Sequence, residues 1–210
     1  GAGPRGKSLA EGVPDRAIAN GDDFSIQVGE NGSIHTSQNL VQWFPRESDT
    51  DVTLRAVTFF KDLAIVAGDD GVLLHSGDEE SFASAELNTA TSKAFRALAA
   101  SSRTIVAAGD DGTIYTSSDG RSWSKRSFRY NNDIHAVAWT GRYFVVVGEN
   151  GLVATSNNGS SWNKRQSRTT RDLNALAYVN KRLWAVGERG TVLLCYNDGV
   201  SWLAARSGTD

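Results

Sequence analysis

The sequence predicts an all-β protein, a five-bladed β-propeller in which each blade is a four-stranded antiparallel sheet, and three observations support this prediction. A Gly-acid-x-Gly tetrad occurs five times in 210 residues, with its first glycine at Gly29, Gly68, Gly109, Gly148 and Gly187. These glycines stand 39, 41, 39 and 39 residues apart, and a period near 40 with strand-like flanks is typical of propellers and solenoids. No stretch shows a helical period of useful length, so few helices are expected.

Two residue columns flank the tetrad and orient each repeat. An alanine stands twelve residues before every first glycine, at Ala17, Ala56, Ala97, Ala136 and Ala175. An aromatic residue stands fourteen residues after it, or fifteen in the last repeat, at Trp43, Phe82, Trp123, Trp162 and Trp202. The small alanine fits the innermost strand, where blades converge, and the bulky aromatic residue fits the outer end, where they diverge.

Each repeat divides into four short strands, A to D. In the repeat around Gly148, strand A covers 134–139 and strand B covers 143–147, a continuous apolar run typical of a strand buried on both faces. The tetrad then forms a tight hairpin, because Gly and Asn tolerate positive φ. Strand C covers 152–156, and strand D begins at Trp162.

The same division applied to the whole chain predicts one propeller domain at 14–210. Its blades cover approximately 14–47, 53–88, 94–129, 133–168 and 172–206. Residues 1–13 form an N-terminal tail, which either lends a strand to the fifth blade and closes the ring or is disordered. The chain starts at Gly1 and contains no Met, which indicates a processed start or a domain excised from a longer precursor. We therefore expect a periplasmic or extracellular location rather than a cytoplasmic one.

Composition excludes several classes of function. A net charge of −2 argues against nucleic acid as a partner, because such proteins carry a basic face. Cys195 is the only cysteine, so an intrachain disulfide is impossible and a structural zinc site lacks ligands. No apolar run approaches the roughly 18 residues of a membrane span. We expect a monomer with no cofactor, no metal and no membrane insertion.

The turn between strands C and D resembles the Asp-box (BNR) turn, whose pattern is Ser/Thr-x-Asp-x-Gly-x-Thr-Trp. The Gly-x-Ser-Trp end of the pattern matches at 120–123, 159–162 and 199–202. Aligned on that end, the Asp position holds Ser118, Asn157 and Asn197. An Asp or Asn side chain accepts backbone N–H bonds across such a turn, so we interpret the motif and its aromatic residue as structural.

Strands A and B, such as 54–59 followed by 65–68, are similar to the photosystem II stability/assembly-factor propellers and to bacterial Asp-box repeat proteins without assigned activity. The resemblance extends over all five repeats. It implies a non-catalytic, assembly-factor-like module with an arginine-lined surface. Assembly-factor propellers generally have seven blades and this chain has five, which argues against a photosynthetic role.

A polar residue precedes the alanine of every strand A: Arg16, Arg55, Arg96, His135 and Asn174. Five such repeats place these residues around one mouth of the central channel, where they could grip a carboxylate-rich peptide or another anionic ligand. Alternatively, each residue pairs with the acid of its own tetrad. These pairs would be Arg16–Glu30, Arg55–Asp69 and Arg96–Asp110, with His135–Glu149 and Asn174–Glu188 as weaker versions. The two interpretations are compatible, and we hypothesise that a protein or peptide partner docks at this ring.

Two further functions have less support. A lectin-like propeller would stack sugars on exposed aromatic residues, and the candidates are Trp139, Tyr143, Tyr178 and Trp184, although their positions favour core packing. A glycoside hydrolase is a distant alternative, because strand A places Arg, His and Asn at the channel where carboxylates would be needed. A cation site among the tetrad acids is unfavourable, since they are spread over five blades and calcium takes its oxygen ligands at about 2.3–2.6 Å.

Overall fold

A computed structural model describes residues 15–205 of the chain, and these residues form β-strands, turns and four single-turn 3-10 segments. The predicted tail at 1–13, with its proposed ring-closing strand, lies outside the described residues. No helix in residues 15–205 has the length and apolar character needed to cross a membrane. The predicted all-β fold class is confirmed.

The strands follow one another in the predicted order. The first two blades contain β1 (Asp15–Asn20), β2 (Ser25–Gly29), β3 (Ile34–Ser37), β4 (Phe44–Arg46), β5 (Leu54–Phe60), β6 (Leu63–Gly68), β7 (Leu73–Ser76) and β8 (Ala83–Ser84). A two-residue strand, β9 (Glu86–Leu87), leads into the third blade. The last three blades contain β10 (Phe95–Ala100), β11 (Ile105–Gly109), β12 (Ile114–Ser117), β13 (Ser122–Arg126), β14 (Ile134–Trp139), β15 (Phe144–Gly148), β16 (Val153–Ser156), β17 (Asn163–Lys164), β18 (Leu173–Val179), β19 (Arg182–Gly187), β20 (Val192–Cys195) and β21 (Leu203–Ala204).

Each blade is a meander of four consecutive antiparallel strands, as the sequence predicts. The third sheet contains a fifth strand, because β9 pairs in parallel with β13 through Glu86↔Ser122 and Leu87↔Trp123. The backbone N–H of Asn88 continues this pairing by donating to the carbonyl of Trp123 at 2.9 Å. The segment predicted to end blade 2 at residue 88 therefore links blade 2 to the outer edge of blade 3.

The hydrophobic core lies between neighbouring blades rather than inside any one of them. Four clusters of buried side chains each join two consecutive blades. Between blades 4 and 5, for example, Val145 and Val147 pack with Leu183, Ala185 and Trp202. Full burial of a Val or Leu side chain stabilises the fold by about 1.5–3 kcal/mol. Because each blade shares its core with the next, a single repeat has no core of its own.

The five blades form an open series in the described residues. The innermost strands contact one another in the order β1, β5, β10, β14 and β18, but within residues 15–205 β18 and β1 share no contact of comparable extent. Ala175, Ala177 and Val179 consequently lie exposed along β18. The five-bladed closed ring thus stays a prediction.

The tetrad forms the turn between the second and third strand of each blade. In blades 2 to 5 it includes a 3-10 segment, at Asp69–Gly71, Asp110–Gly112, Glu149–Gly151 and Glu188–Gly190. Its third residue is left-handed, with φ of 53° at Asp70 and 50° at Asp111. The first glycine of the tetrad is needed for a different reason, because the backbone before the innermost strand lies very close to it. A Cβ on Gly148 would lie 1.9 Å from the carbonyl oxygen of Asp133.

The turn between the third and fourth strand has the hydrogen bonds of an Asx turn, but the accepting residue lies one position later than the alignment predicts in two blades. Asp119 Oδ1 accepts the backbone N–H groups of Arg121 at 2.8 Å and Ser122 at 2.9 Å. In blade 4 the acceptor is Asn158. The assignments of Ser118 and Asn157 were therefore wrong, because the turn is one residue shorter than the Asp-box pattern between the acid and the glycine.

In blade 5 the predicted acceptor, Asn197, does receive a backbone bond, from Ser201 at 2.8 Å. A small side chain two residues before the acceptor closes each of these turns. Cys195 in blade 5 occupies the position that Ser117 and Ser156 have in blades 3 and 4, and its Sγ lies 3.1 Å from Asn197 Oδ1. The buried Cys195 thus has a structural place in the turn.

Candidate functional site: the arginine depression

The polar residue of every innermost strand lines one surface depression of about 410 Å³, which we call the arginine depression. Its lining residues are Arg16, Arg55, Arg96, His135 and Asn174. The structure therefore brings together all five residues that the sequence places around the channel mouth.

A β-bulge in each blade determines where these side chains lie. In blade 2, Leu54 pairs with Gly68 and Ala56 pairs with Ala67, so Arg55 is an extra residue without a ladder partner. The same shift occurs in all five blades, at Asp15/Ala17, Leu54/Ala56, Phe95/Ala97, Ile134/Ala136 and Leu173/Ala175. A bulge bends its strand and redirects the extra side chain, which gives the five residues a common position at one end of the blades. Sequence reasoning missed the bulges because every repeat has one at the same position, so the constant spacing of the residue columns does not reveal them.

Three arginines contact the acid of their own tetrad. Arg55 engages Asp69 with both Nε and Nη2, the second at 2.8 Å from Oδ2. This hydrogen-bonded carboxylate raises the pKa of Arg55 above its usual value. Arg16 Nη2 lies 2.5 Å from Glu30 Oε1.

Arg96 contacts two acids from neighbouring blades. Its Nε donates to Asp110 of its own tetrad, and its Nη2 lies 3.4 Å from Asp133 Oδ2 of blade 4. Asp133 also accepts the backbone N–H of Asp111 at 2.9 Å, so it ties the tetrad of blade 3 to the start of blade 4. Sequence reasoning did not single out Asp133, although an acid directly before strand A also occurs at Asp172.

The two weaker pairs that the sequence suggests, His135–Glu149 and Asn174–Glu188, do not form. His135 Nδ1 lies 3.2 Å from the carbonyl oxygen of Leu173, and Glu149 Oε2 instead accepts the backbone N–H of Asp133 at 3.1 Å. Asn174 and Glu188 are both exposed, and no hydrogen bond joins their side chains. The reason is reach, since the shorter His and Asn side chains lack the extended guanidinium arm of Arg.

The chemical character of the residues that line the depression therefore changes along the series of blades. Blades 1 to 3 contribute guanidinium groups held by carboxylates, whereas blades 4 and 5 contribute an imidazole and an amide. The arginine side chains are 48%, 32% and 34% exposed at Arg16, Arg55 and Arg96. Partly exposed guanidinium groups in a fixed orientation are suited to binding carboxylates through charge-assisted hydrogen bonds.

The aromatic residues considered for sugar stacking contribute mainly to the core between blades. Trp139 packs against Phe144 with ring centroids 4.5 Å apart. Tyr143 and Tyr178 pack on the cluster between blades 4 and 5, and Trp184 is partly buried on the outward face of blade 5.

The outer aromatic column is also in the core. Trp43, Phe82, Trp123 and Trp202 are buried, and Trp162 is partly buried. The indole N–H groups of Trp123, Trp162 and Trp202 donate to the glycine carbonyl of their own turn. Among residues 15–205, no group of three or more His, Cys, Asp or Glu side chains is placed to hold a metal ion.

Neither the family models nor the curated proteins include a match to this chain. Among solved structures, YCF48 bound to a D1 peptide is similar, with a TM-score of 0.73 and 18% identity over 94% of this chain and 71% of that chain. An ancestral GH74 enzyme has a TM-score of 0.75 and 15% identity over 97% of this chain and 33% of that chain. The WD40 propeller domain of Doa1 has a TM-score of 0.68 and 14% identity over 96% of this chain and 71% of that chain. At these identities the similarity shows a β-propeller fold, and the Asp-box family assignment stays a prediction.

Proposed function

We propose that this chain is a non-catalytic binding module that docks an acidic peptide segment of a protein partner in the arginine depression. The observation that carries the proposal is the convergence of Arg16, Arg55 and Arg96 on one depression of about 410 Å³. The bulge in each innermost strand gives these side chains a fixed common direction, which lowers the entropy lost when a ligand binds.

The arginines keep donors for a ligand although each contacts an acid. Arg16 contacts Glu30 through Nη2, and Arg55 contacts Asp69 through Nε and Nη2, whereas a guanidinium group carries five N–H donors. The acids hold the guanidinium groups in place, and these three arginines line the depression, so donors that the acids do not use remain for a ligand. A carboxylate that enters it can form bidentate contacts without any change of fold.

Peptide binding is the favoured alternative because the aromatic residues needed for sugar stacking pack mainly between blades. The solved YCF48 structure holds a D1 peptide, which is consistent with peptide docking on a propeller of this kind. A glycoside hydrolase has less support, because Glu30, Asp69 and Asp110 are each engaged by an arginine rather than paired with one another as acid and base.

The proposal is tested by fluorescence anisotropy with a labelled hexaglutamate peptide, with hexaglutamine as the neutral comparison. We expect binding of the acidic peptide that weakens as salt is added, since Coulomb attraction is screened. The double variant Arg55→Glu, Arg96→Glu should bind at least about tenfold more weakly.

The matched control is the double variant Arg103→Glu, Arg142→Glu. Both arginines are exposed and lie in the turns after the innermost strands, away from the depression. Because two arginines again become two glutamates, the net charge of the protein changes by the same amount as in the first variant. Circular dichroism checks that all variants fold. Full binding in the first variant, or an equal loss in the control, would overturn the proposal.

A further inference from the structure

The stretch that runs from the fourth strand to the next blade is strongly basic in blades 3 and 4. Residues 124–132 contain three Lys or Arg residues, residues 163–171 contain four, and neither stretch contains an Asp or Glu. Five of these seven side chains are exposed, and we call them the basic rim: Lys125, Arg129, Lys164, Arg168 and Arg171. The net charge of −2 is therefore distributed unevenly over the molecule.

The same stretch of blade 1 has the opposite charge. Residues 44–52 contain one Arg and three acids. Asp49 stands at the same distance from the first glycine of its tetrad as Arg129 and Arg168 do. Asp49 and Arg168 also share a left-handed backbone, with φ of 53° and 61°. The turn therefore accepts either charge, and its formation does not explain why blades 3 and 4 are basic.

The basic rim has no acidic partner among residues 15–205, where the salt bridges involve other cations. Two of its side chains are nevertheless oriented by neighbours. Lys164 Nζ lies 5.0 Å from the centre of the Tyr130 ring, and Arg171 Nη1 donates to the carbonyl of Arg189 at 3.2 Å. Neither contact neutralises the charge, so the rim keeps a positive field that attracts anionic ligands.

A cavity of about 450 Å³ opens beside the basic rim on blade 3. Its lining includes Lys125 and Arg126, and the acid in its lining, Asp111, is paired with Lys93. The corresponding cavity of blade 1 has a volume of about 240 Å³, and its lining includes residues 47–49, two of which are acids. Equivalent cavities thus differ in charge, and the one on blade 3 favours an anion.

The basic rim and the arginine depression lie at the same end of the blades. In blade 3 the fourth strand ends at Arg126, which pairs with Ile114 just beyond the tetrad. The innermost strand begins at Phe95, which pairs with Gly109 of the same tetrad. Three strand spacings separate the two strands, about 14 Å, which an extended peptide of about four or five residues spans.

Two connections lead from the basic rim to the depression. The blade 3 stretch 124–132 continues directly into Asp133, whose Oδ2 lies 3.4 Å from Arg96 Nη2. The blade 4 stretch leads to Leu173, whose carbonyl oxygen lies 3.2 Å from His135 Nδ1. Both Arg96 and His135 line the depression, so the two surfaces are continuous.

We propose that the acidic peptide docked in the arginine depression continues outward over the basic rim, where a second group of its carboxylates binds. This inference rests on the proposed function and adds a second subsite to it. A linked second contact strengthens binding because it forms within the complex. A path over blade 1 is unfavourable, since Glu47, Asp49 and Asp51 repel carboxylates.

Two labelled peptides of nine residues test the second subsite. One has two glutamate triplets separated by three glutamines, and the other has one glutamate triplet followed by six glutamines. In an extended chain the nearest glutamates of the two triplets lie about 13 Å apart. Fluorescence anisotropy at about 0.15 M salt, where the Debye length is about 8 Å, limits the effect of rim charge to short range. The wild-type chain should bind the two-triplet peptide at least about tenfold more tightly.

The rim variant Arg129→Glu, Arg168→Glu should remove this difference and leave binding of the single-triplet peptide unchanged. Because blade 1 has Asp49 at the same position, the variant should fold, which circular dichroism checks. A rim variant that keeps the full preference for the two-triplet peptide would overturn the inference.

The depression variant Arg55→Glu, Arg96→Glu should weaken binding of both peptides. The control variant Arg103→Glu, Arg142→Glu has the same change in net charge and should bind both as the wild type does. Equal binding of the two peptides by the wild type, with both weakened in the depression variant, would overturn the second subsite and leave the proposed function intact. Unchanged binding in the depression variant would overturn the proposed function itself.

Carbodiimide coupling locates the second triplet without any substitution, because it joins a carboxylate to an amine with loss of water. Mass spectrometry should find the two-triplet peptide linked to Lys125 or Lys164. Lys181 is the internal control, since it is exposed in the turn between the first two strands of blade 5, at the opposite end of the blade from the tetrad. Equal coupling to Lys181 would contradict the inference. Heparin binding that only the rim variant loses, combined with equal binding of the two peptides by the wild type, would assign the rim to a sulfated polysaccharide instead.

Discussion

Leu40 adopts a left-handed backbone with φ of 60° at the turn position that glycine holds in blades 3 and 4, where Gly120 has φ of 78° and Gly159 has φ of 74°. A left-handed conformation costs a residue with a Cβ about 1–2 kcal/mol, and glycine avoids this cost. Glycine also has a larger conformational entropy in the unfolded state, which offsets part of the gain in stability. We predict that Leu40→Gly raises the free energy of unfolding by about 0.5–1 kcal/mol in urea titrations. The adjacent, exposed Val41→Gly has no such strain to relieve and should lower stability. A destabilised Leu40→Gly would show that the leucine side chain has a packing partner.

Asp119 shows how the Asx turns depend on pH. The backbone N–H groups of Ser122 and Arg121 stabilise its carboxylate and hold the pKa of Asp119 below its usual value. A lowered folded-state pKa contributes stability above the unfolded pKa, and that contribution is lost as pH falls through the folded value.

We predict that Asp119→Asn keeps the turn, because Asn39 and Asn158 accept the same bonds in blades 1 and 4, but loses the part of stability that depends on charge. The difference in unfolding free energy between wild type and this variant should be largest near neutral pH. It should shrink below the ordinary aspartate pKa of about 3.9. Urea titrations at a series of pH values measure it, and a difference that grows in acid would contradict the assignment.

At the scale of the element, the tetrad turn depends on backbone contact with the next strand. The backbone of Gly148 lies so close to the carbonyl oxygen of Asp133 that a Cβ would clash with it. The next residue, Glu149, donates its N–H to that same carbonyl at 3.0 Å. A methyl group on Gly148 cannot be accommodated without moving the backbone.

We predict that Gly148→Ala costs at least about 3 kcal/mol of unfolding free energy or prevents folding, since overpacking against rigid backbone is severe. Gly77→Ala is the control, because its Cβ would lie 3.5 Å from the nearest atom, Leu63 Cδ2. Thermal unfolding followed by circular dichroism compares the two. Equal losses would mean that the cost arises from glycine replacement in general.

Residues that recur at a fixed position in every repeat predict a strand or turn well. They predict it poorly when its geometry depends on a one-residue shift in strand pairing. The alanine and tetrad columns located β14, β15 and the turn that follows β15 to within about one residue. The bulge at His135 left no mark in the spacing, and β9 is only two residues long, too short for any period. The five residues of the arginine depression were nevertheless identified together, because each stands at a constant offset from its alanine.

At the scale of the molecule, the open series of blades predicts unequal stability along the chain. Repeat arrays gain much of their stability from contacts between neighbours, so an end repeat with one neighbour opens more easily than a central one. Blade 3 has a neighbour on both sides, whereas blade 5 packs only on blade 4 within the described residues.

We therefore predict that backbone amides of β19 exchange with deuterium at least about tenfold faster than those of β11 in dilute solution. Both strands are central in their own sheets, so the comparison isolates the missing neighbour from ordinary edge fraying. Equal protection of β19 and β11 in dilute solution would show that blade 5 is covered within a single chain, and the open series would then be wrong.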